Sequence, residues 1–295
     1  MNPRIWLMAA RPRTLPAAVA PVLVGTAAAV EASDELRVGA FIAALVGSVF
    51  IQIGTNLAND YSDAKRGADS VDRLGPVRVT ASGMVAPRRV LVATWVAFAV
   101  AVGAGIYLTA VAGPVILAVG AVSILAGVLY TGGPRPYGYA GLGEAFVFLF
   151  FGLVAVNGSY FVQVERLDWL PFALSVPVGC LATAILVVNN VRDIDTDRRA
   201  GKLTLAVRLG RGRARVLYAA LVVAAYLGLT SALLLADGPA WGLLALASLP
   251  LAPRPVRAVR RRTDGPSLNA ALAATGALLA AFSALLTAGL LLASA

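Results

Sequence analysis

Three kinds of residue are scarce in this chain, and each scarcity excludes a class of function. Histidine is absent, and the only cysteine, Cys180, lies within an apolar run. A disulfide framework, a Cys/His zinc site and Ser-His-Asp or Cys-His catalysis are therefore excluded. Charged residues make up only 14% of the 295 residues, whereas soluble domains carry roughly 25%.

Apolar residues are correspondingly abundant, which indicates a membrane protein. Hydrophobic residues make up 59% of the chain and the mean hydropathy is +0.80. We interpret this composition as that of a polytopic membrane protein. The isoelectric point near 10.5 reflects arginines on one side of a bilayer. It does not predict nucleic-acid binding, because phosphate backbones are bound by solvated basic faces.

Nine apolar runs approach the length that crosses a hydrocarbon core, about 20 residues. They predict an all-α fold with nine transmembrane helices in a single domain over residues 1–295. The eighth run is the weakest, because it is short and Pro250 and Pro253 fall near its end. The predicted spans are 14–33, 37–58, 90–111, 114–131, 142–163, 169–190, 214–236, 239–253 and 267–294.

The distribution of cations supports nine crossings. If the N-terminus is cytoplasmic, only Arg37 and Arg166 of the 25 lysines and arginines face the outside. Such a bias is typical of the cytoplasmic side of a membrane protein. We therefore expect a multi-pass plasma-membrane protein with an extracytoplasmic C-terminus. The first apolar run is too long for a signal peptide, so it is interpreted as a membrane helix.

Two acidic motifs interrupt the apolar pattern. Asn56 is followed four residues later by Asp60, and Asn189 is followed four residues later by Asp193, a spacing that places both members on one helix face. The motifs belong to two long inner connections, roughly 59–89 and 190–213. Their common side predicts that the functional site lies at the cytoplasmic face.

The chemistry of the motifs points to a diphosphate ligand. Clustered carboxylates repel one another unless cations lie between them, and Mg²⁺ prefers oxygen ligands completed by substrate phosphates. Lysine and arginine beside them would bind the remaining diphosphate oxygens. Together with an apolar helical chamber, this combination implies an isoprenyl diphosphate. The carboxylates concerned are Asp60, Asp63, Asp69, Asp72, Asp193, Asp195 and Asp197, and the cations are Lys65, Arg66, Arg192, Arg198, Arg199 and Lys202.

Each polar residue also has a structural interpretation. An isolated pair of aspartates at a helix end is commonly a cap or a solvated turn. Asn56 and Asn189 could hydrogen-bond between helices instead of contacting metal or phosphate. Tyr139 is equally compatible with an interfacial belt and with stabilisation of a cation. Glu144, at the mouth of the fifth predicted helix, is compatible with an N-terminal cap.

The motifs resemble those of the UbiA-type intramembrane aromatic prenyltransferase superfamily. Its marks are an Asn-Asp-x-x-Asp motif after the second helix and an Asp-x-x-x-Asp motif after the sixth, here residues 59–63 and 193–197. Within the superfamily, the chain resembles the 1,4-dihydroxy-2-naphthoate polyprenyltransferases of menaquinone synthesis from about residue 5 to residue 295. The segments that carry this resemblance are 10–16, 59–69, 75–78, 82–83, 141–144 and 189–210.

The resemblance implies a fold and a set of roles. The fold would be a ring of nine helices around a chamber that opens sideways to lipid. The catalytic residues would be Asp60, Asp63, Asp193 and Asp197, which with Asp69 would hold Mg²⁺. Asp195 occupies a position where the family varies. The substrate-binding residues would be Asn56, Asn189, Lys65, Arg192 and Lys202 around the diphosphate, Arg78 and Arg135 for substrate anions, and Tyr139 beside the allylic cation.

The resemblance also implies a reaction, and alternatives to it stay open. Polyprenyl diphosphate and 1,4-dihydroxy-2-naphthoate would react with loss of diphosphate and carbon dioxide, giving demethylmenaquinone. A 4-hydroxybenzoate, homogentisate or haem prenyltransferase would use the same aspartates. A carboxylate-lined cation transporter is disfavoured because the acids lie at one face and not at mid-membrane. A scaffold or lipid-binding role would not need paired aspartates.

Overall fold

Helices account for all the regular secondary structure in residues 3–68 and 74–294, the ranges that the computed structural model describes. A π-helical segment, Phe148–Val154, joins α6 to α7, and short 3₁₀ segments occupy Pro12–Thr14, Tyr137–Ala140 and Ala240–Leu251. The α-helices are α1 Pro3–Ala10, α2 Pro16–Ser33, α3 Val38–Lys65, α4 Pro87–Ala112, α5 Val115–Leu129, α6 Gly143–Val147, α7 Ala155–Val164, α8 Trp169–Arg199, α9 Leu205–Leu235, α10 Pro253–Arg261 and α11 Gly265–Ala293.

Seven helices are long and apolar enough to cross a membrane: α2, α3, α4, the continuous run Gly143–Val164, α8, α9 and α11. They confirm the predicted all-α polytopic membrane fold. Two further predicted spans correspond to shorter apolar helices, α5 and the 3₁₀ segment Ala240–Leu251. The count of nine crossings stays a prediction.

The eighth predicted span is short in sequence but extended in conformation. A 3₁₀ helix rises about 2.0 Å per residue, so a 12-residue segment reaches about 24 Å where an α-helix would reach about 18 Å. The helical path then continues through Ala252 into α10. The 3₁₀ geometry therefore offsets part of the shortfall against a hydrocarbon core of about 30 Å.

The acidic motifs lie on helices and not in the inner connections. Helix α3 continues to Lys65 and α8 to Arg199, beyond the ends at 58 and 190 that were predicted from apolarity. A count of apolar residues finds only the lipid-buried part of a helix, whereas charged and amide residues can extend it into the interface. Helix α9 is broken at Gly210, which has φ 77° and ψ 159°. Apolarity predicted a start at 214 because Arg208, Arg211 and Arg213 precede it.

Helix α8 is at the centre of the packing. It contacts α2, α7, the π segment, α9 and α11, and side chains such as Leu174, Val178 and Leu181 are fully buried along it. It lies very close to the π segment, where a Cβ atom built on Gly152 would lie 2.8 Å from the Cα of Gly179. Glycine is required there because the two backbones touch. Helix α8 thus carries the second motif on a rigid, well-packed element.

Candidate functional site

One chamber of about 330 Å³ lies among the helices and is lined by both motif-bearing helices. Its lining residues on α3 and α8 recur at intervals of three and four, so each helix presents one stripe to the chamber. On α3 the stripe is Ala44, Gly47, Ser48, Ile51, Gln52, Thr55, Asn56, Asn59 and Asp63, and on α8 it is Ala182, Ile185, Leu186, Asn189, Asn190, Asp193 and Asp197.

Both stripes change character along the helix in the same direction. Each begins with small or apolar residues, passes through amides and ends with carboxylates. The chamber therefore has an apolar body and a charged mouth. Aromatic residues from the segment 130–151 form part of its wall: Tyr130, Tyr137, Tyr139, Phe146, Phe150 and Phe151.

Asp63 is the centre of the charged mouth. Its carboxylate is buried and pairs with the Lys202 ammonium at 2.9 Å and with the Arg78 guanidinium at 3.1 Å. The Tyr139 hydroxyl donates to it at 2.7 Å. These three partners come from three different segments, so Asp63 connects α3 to the connection before α4, to the 3₁₀ segment Tyr137–Ala140 and to the turn after α8.

The ion pair between Asp63 and Lys202 brings the two motifs together at one end of the chamber. Lys202 follows the second motif, and its ammonium lies 4.9 Å from the centre of the Tyr139 ring, within the range of a cation–π interaction. The backbone N–H of Leu203 donates to the Tyr139 carbonyl at 3.1 Å. Asp63 of the first motif and Asp193 and Asp197 of the second therefore line a common space.

Asp60 has a different environment from Asp63. Its two carboxylate oxygens accept hydrogen bonds from the backbone N–H groups of Val79 and Thr80, at 3.1 and 2.9 Å. Asp60 is buried and is not among the residues that line the chamber. In this structure it anchors the connection between α3 and α4.

Arg192 does not line the chamber, although Asn189 and Asp193, which it contacts, do. Its guanidinium donates to both carboxylate oxygens of Asp193, at 2.8 and 2.6 Å. It also donates to the side-chain oxygens of Asn189 at 2.8 Å and of Asn269 on α11 at 2.7 Å. Arg192, which was predicted to contact the diphosphate, is thus part of a buried hydrogen-bond network that holds Asp193 against α11. Asp195 is exposed and pairs with Arg211 at 2.7 Å.

The remaining predicted residues divide between the chamber and the surface. Asn56 lines the chamber, and its amide donates to the carbonyl of Ala10 at 3.0 Å. Asn189 and Asp197 also line it. Lys65 and Arg135 have exposed side chains and do not line it. The predicted metal ligand Asp69 and its neighbour Asp72 lie outside the described residues.

The prediction missed several polar residues of the chamber. Arg11 lines it from the segment between α1 and α2, has a left-handed φ of 55°, and donates to the Asn56 carbonyl at 3.5 Å. Gln52 and Asn59 belong to the same α3 stripe as Asn56 and Asp63. The helical spacing of 52, 56, 59 and 63 was a signal that could have found both. No spacing rule connects Arg11 to them.

Glu144 lies in the first turn of α6, and its side chain also reaches a neighbouring helix. One of its carboxylate oxygens accepts from the Asn190 amide at 2.9 Å, across from α6 to α8. Nearby, the Tyr137 ring stacks on Phe146 with centroids 3.9 Å apart. Burial raises the pKa of the Tyr137 hydroxyl well above its ordinary value, so this hydroxyl stays protonated at neutral pH.

The donor set at the mouth fits a hard divalent cation. Within the described ranges no three acidic or thiol side chains are close enough to form a metal site by themselves. Mg²⁺ needs only one or two carboxylates, because water and substrate phosphates complete its coordination. Asp63, Asp193 and Asp197 supply such carboxylates at the chamber wall.

The fold and the site define an integral membrane protein whose helices enclose a chamber with a charged mouth and an apolar body. Residues 18–271 match the UbiA prenyltransferase family. The chain belongs to this family, and the resemblance inferred from the motifs is confirmed.

Curated relatives match nearly the whole chain. A protein of Mycobacterium tuberculosis named 1,4-dihydroxy-2-naphthoate octaprenyltransferase is 47% identical over 271 residues, covering 92% of this chain and 91% of the relative. A protein of the same name from Escherichia coli is 39% identical over 282 residues, covering 93% and 91%. One from Bacillus subtilis is 33% identical over 260 residues, covering 88% and 82%.

Solved structures share the fold at low sequence identity. A UbiA homologue from Archaeoglobus fulgidus, bound to GPP and Mg²⁺, superposes with a TM-score of 0.64 at 14% identity, covering 96% of this chain and 99% of that one. A UbiA homologue from Aeropyrum pernix gives a TM-score of 0.65 at 15% identity, covering 88% and 96%.

Proposed function

We propose that this protein transfers a polyprenyl group from polyprenyl diphosphate to 1,4-dihydroxy-2-naphthoate, with loss of diphosphate and carbon dioxide. The observation that carries the proposal is the chamber in which the Asp63 cluster and the α8 motif share a charged mouth above an apolar body. A diphosphate with a long hydrocarbon tail has the same two-part character. The names of the relatives from three bacterial species support the choice of acceptor.

The mouth would bind the diphosphate. Lys202 and Arg78 both hold Asp63, and with three and five N–H donors respectively each can also contact a phosphate oxygen. Asp63, Asp193 and Asp197 would hold Mg²⁺, which when bound neutralises charge on the departing diphosphate. Asp60 and Asp69 remain predicted ligands, while Lys65 and Arg135 face the surface and are less suited to the role.

The body of the chamber would bind the prenyl chain and exclude water. Its walls include Leu108, Ile116 and Val162 from three different helices. An allylic cation formed by departure of diphosphate would be quenched by water, so a dry cavity is a chemical requirement. Tyr139 lines the chamber beside Lys202, and its ring would stabilise positive charge on the allylic carbon.

The transfer step balances without an added oxidant. The C–O bond to diphosphate breaks and leaves its electron pair on oxygen. The ring carbon that bears the carboxylate forms the new C–C bond, and the electrons of the bond to departing carbon dioxide restore aromaticity. The product is therefore released in the quinol form of demethylmenaquinone.

The membrane orientation is also part of the proposal. With an N-terminus in the cytoplasm and a C-terminus outside, the motif ends of α3 and α8 face the cytoplasm of a plasma-membrane protein. The asymmetric distribution of arginine supports this orientation. Both substrates would then enter from the side on which soluble metabolites are made.

A direct assay tests the function. Purified protein is incubated with polyprenyl diphosphate, 1,4-dihydroxy-2-naphthoate and Mg²⁺, with and without EDTA, and carbon dioxide and prenylated product are measured. We expect product that EDTA abolishes and excess Mg²⁺ restores. Parallel reactions with 4-hydroxybenzoate and homogentisate test the alternative acceptors. Turnover of one of these in place of the naphthoate would overturn the acceptor, and no metal-dependent product from any of them would overturn the transferase.

A further inference from the structure

A buried carboxylate beside the chamber has no role in the reaction proposed above. Glu144 is 6% exposed, and its Oε1 atom accepts a hydrogen bond from the Asn190 amide nitrogen at 2.9 Å. Its Oε2 atom is buried and has no hydrogen-bond partner in the part of the chain that the structure describes. Burying a carboxylate with one unsatisfied oxygen destabilises a protein. A compensating function is therefore expected for this pair.

Asn190 occupies the boundary between the two parts of the chamber. It lies three residues before Asp193 and seven before Asp197, and all three line the chamber. Three residues of α-helix rise about 4.5 Å, so Asn190 lies one turn below the charged mouth. Leu186, one turn further from the mouth, lines the apolar body. The reacting end of a prenyl diphosphate would reach this boundary.

The hydrogen bond to Glu144 fixes which end of the Asn190 amide is available. Because the nitrogen donates to Glu144, the carbonyl oxygen, which only accepts hydrogen bonds, lies at the other branch of the amide, and the nitrogen keeps one further N–H. Asn190 is 4% exposed and makes no other side-chain hydrogen bond within 3–68 and 74–294. To satisfy the carbonyl oxygen, a ligand at this position must supply an O–H or N–H donor.

Only one of the two proposed substrates can supply that donor. A prenyl diphosphate presents hydrocarbon and ionised phosphate oxygens, which accept hydrogen bonds, whereas a dihydroxylated aromatic ring carries O–H donors. The neighbouring wall suits such a ring, because Tyr137 and Phe146 line the chamber and stack on each other. Phe146 also lies two residues from Glu144 on the same short helical run.

We propose that the Asn190 carbonyl oxygen accepts a hydrogen bond from a ring hydroxyl of the aromatic acceptor. Glu144 is then a positioning residue that holds the amide in the orientation that makes this possible. The inference rests on the proposed function, since it names the subsite for that acceptor.

Two substitutions separate the roles of the pair. Asn190→Leu removes the acceptor oxygen and keeps the branching and the number of heavy atoms of the side chain. We expect it to raise the KM for the aromatic acceptor by about tenfold, the value of one hydrogen bond, with the KM for the prenyl diphosphate unchanged. Glu144→Leu releases the amide and should have a similar but smaller effect. Glu144→Gln keeps an oxygen opposite Asn190, so it should rescue most of the loss.

Acceptor analogues provide a readout that a merely structural role would not change. Inhibition constants are measured for 1,4-dihydroxy-2-naphthoate analogues that lack either the 1-hydroxyl or the 4-hydroxyl. For one of the two, the penalty of Asn190→Leu should disappear, because the lost partner is already missing. Thr183→Val is the matched control, since Thr183 is buried on the same helix but does not line the chamber.

Several results would overturn the inference. They are an equal penalty of Asn190→Leu for all analogues, a change confined to the KM of the prenyl diphosphate, and a Glu144→Gln variant as impaired as Glu144→Leu. The proposed function fails separately, when wild-type protein turns over another acceptor. In that event the same comparison is made with 4-hydroxybenzoate and benzoate, and the inference stands or falls on whether the hydroxyl accounts for the penalty.

Discussion

At the scale of single residues, the two aspartates of the first motif are held differently although they are one helical turn apart. Asp63 is held by two cations and a hydroxyl at the chamber wall. Asp60 is held by two backbone N–H groups away from it. Substitutions at the two positions should therefore have different consequences, which is a direct test of the site.

Asp63→Asn should reduce kcat/KM for prenyl transfer by at least ~100-fold, because it removes the negative charge that holds the cations at the chamber mouth in place. It also leaves the buried Lys202 and Arg78 without their anion, so unfolding in detergent should occur at a lower temperature. The matched control is Asp195→Asn. Asp195 is exposed and pairs with Arg211, a contact worth less than about 1 kcal/mol, so this variant should stay within twofold of wild type.

Asp60→Ala should loosen the connection before α4. It leaves the buried N–H groups of Val79 and Thr80 without acceptors, at about 1–3 kcal/mol each. We expect faster cleavage by trypsin at Arg78, which is buried in the native connection, with Asp60→Asn intermediate. Unchanged cleavage at Arg78 in a variant that has lost activity would show that Asp60 acts as a ligand and not as an anchor.

The sequence predicted the site better than it predicted the individual contacts. The four-residue spacing of Asn189 and Asp193 agrees with the structure, where both line the chamber, because helical periodicity is a local property. The same spacing paired Asn56 with Asp60 on α3, but Asp63 lines the chamber there and Asp60 does not. It could not show that Arg192 turns toward Asn269, or that Lys65 and Arg135 point outward. Those outcomes depend on tertiary packing, which brings together residues far apart in the chain.

At the scale of helices, close contacts between glycine and backbone fix how the elements pack. A Cβ atom built on Gly289 of α11 would lie 2.1 Å from the carbonyl oxygen of Trp241 in the segment Ala240–Leu251. The same extended segment defines the weakest predicted span. Its position in the bundle is therefore set by a contact that tolerates no side chain.

Gly289→Ala should destabilise the protein by about 1–3 kcal/mol, because the two backbones must separate. The measurement is thermal unfolding in detergent. Gly103→Ala on α4 is the control, since a Cβ atom there meets nothing within 4 Å and alanine favours the helix by up to ~1 kcal/mol. Equal stability of the two variants would contradict the packing described here.

The sequence predicted the parts of the helices that lie in lipid. It missed the parts that extend into the aqueous interface. Apolarity located the membrane-embedded parts of α3, α8 and α9. It gave no information on their polar extensions, because a helix in water is stabilised by caps and tertiary contacts. Thr204 provides one such cap: its hydroxyl accepts from the N–H of Val207 at the start of α9.

At the scale of the whole molecule, the number of crossings is the main open prediction. The single native thiol, Cys180, is buried, which gives a low background for labelling introduced cysteines. With nine crossings, Asp34→Cys and Asp237→Cys variants should react with an impermeant maleimide on intact cells. Arg135→Cys and Arg260→Cys variants should react only after permeabilisation. Labelling of Arg260→Cys on intact cells would mean that the 3₁₀ segment does not cross.

The π segment Phe148–Val154 has a consequence for how the chamber wall can change. An extra residue in a helical turn rotates the helix before it by about 100° relative to the helix after it. The face of α6 that bears Glu144 and Phe146 is thereby oriented independently of α7, which packs on α2. Shortening or shifting this wide turn would change the orientation of the aromatic side chains in the chamber wall. The lipid-embedded scaffold would stay intact. The preference for one aromatic acceptor can therefore diverge among related chains without loss of the fold.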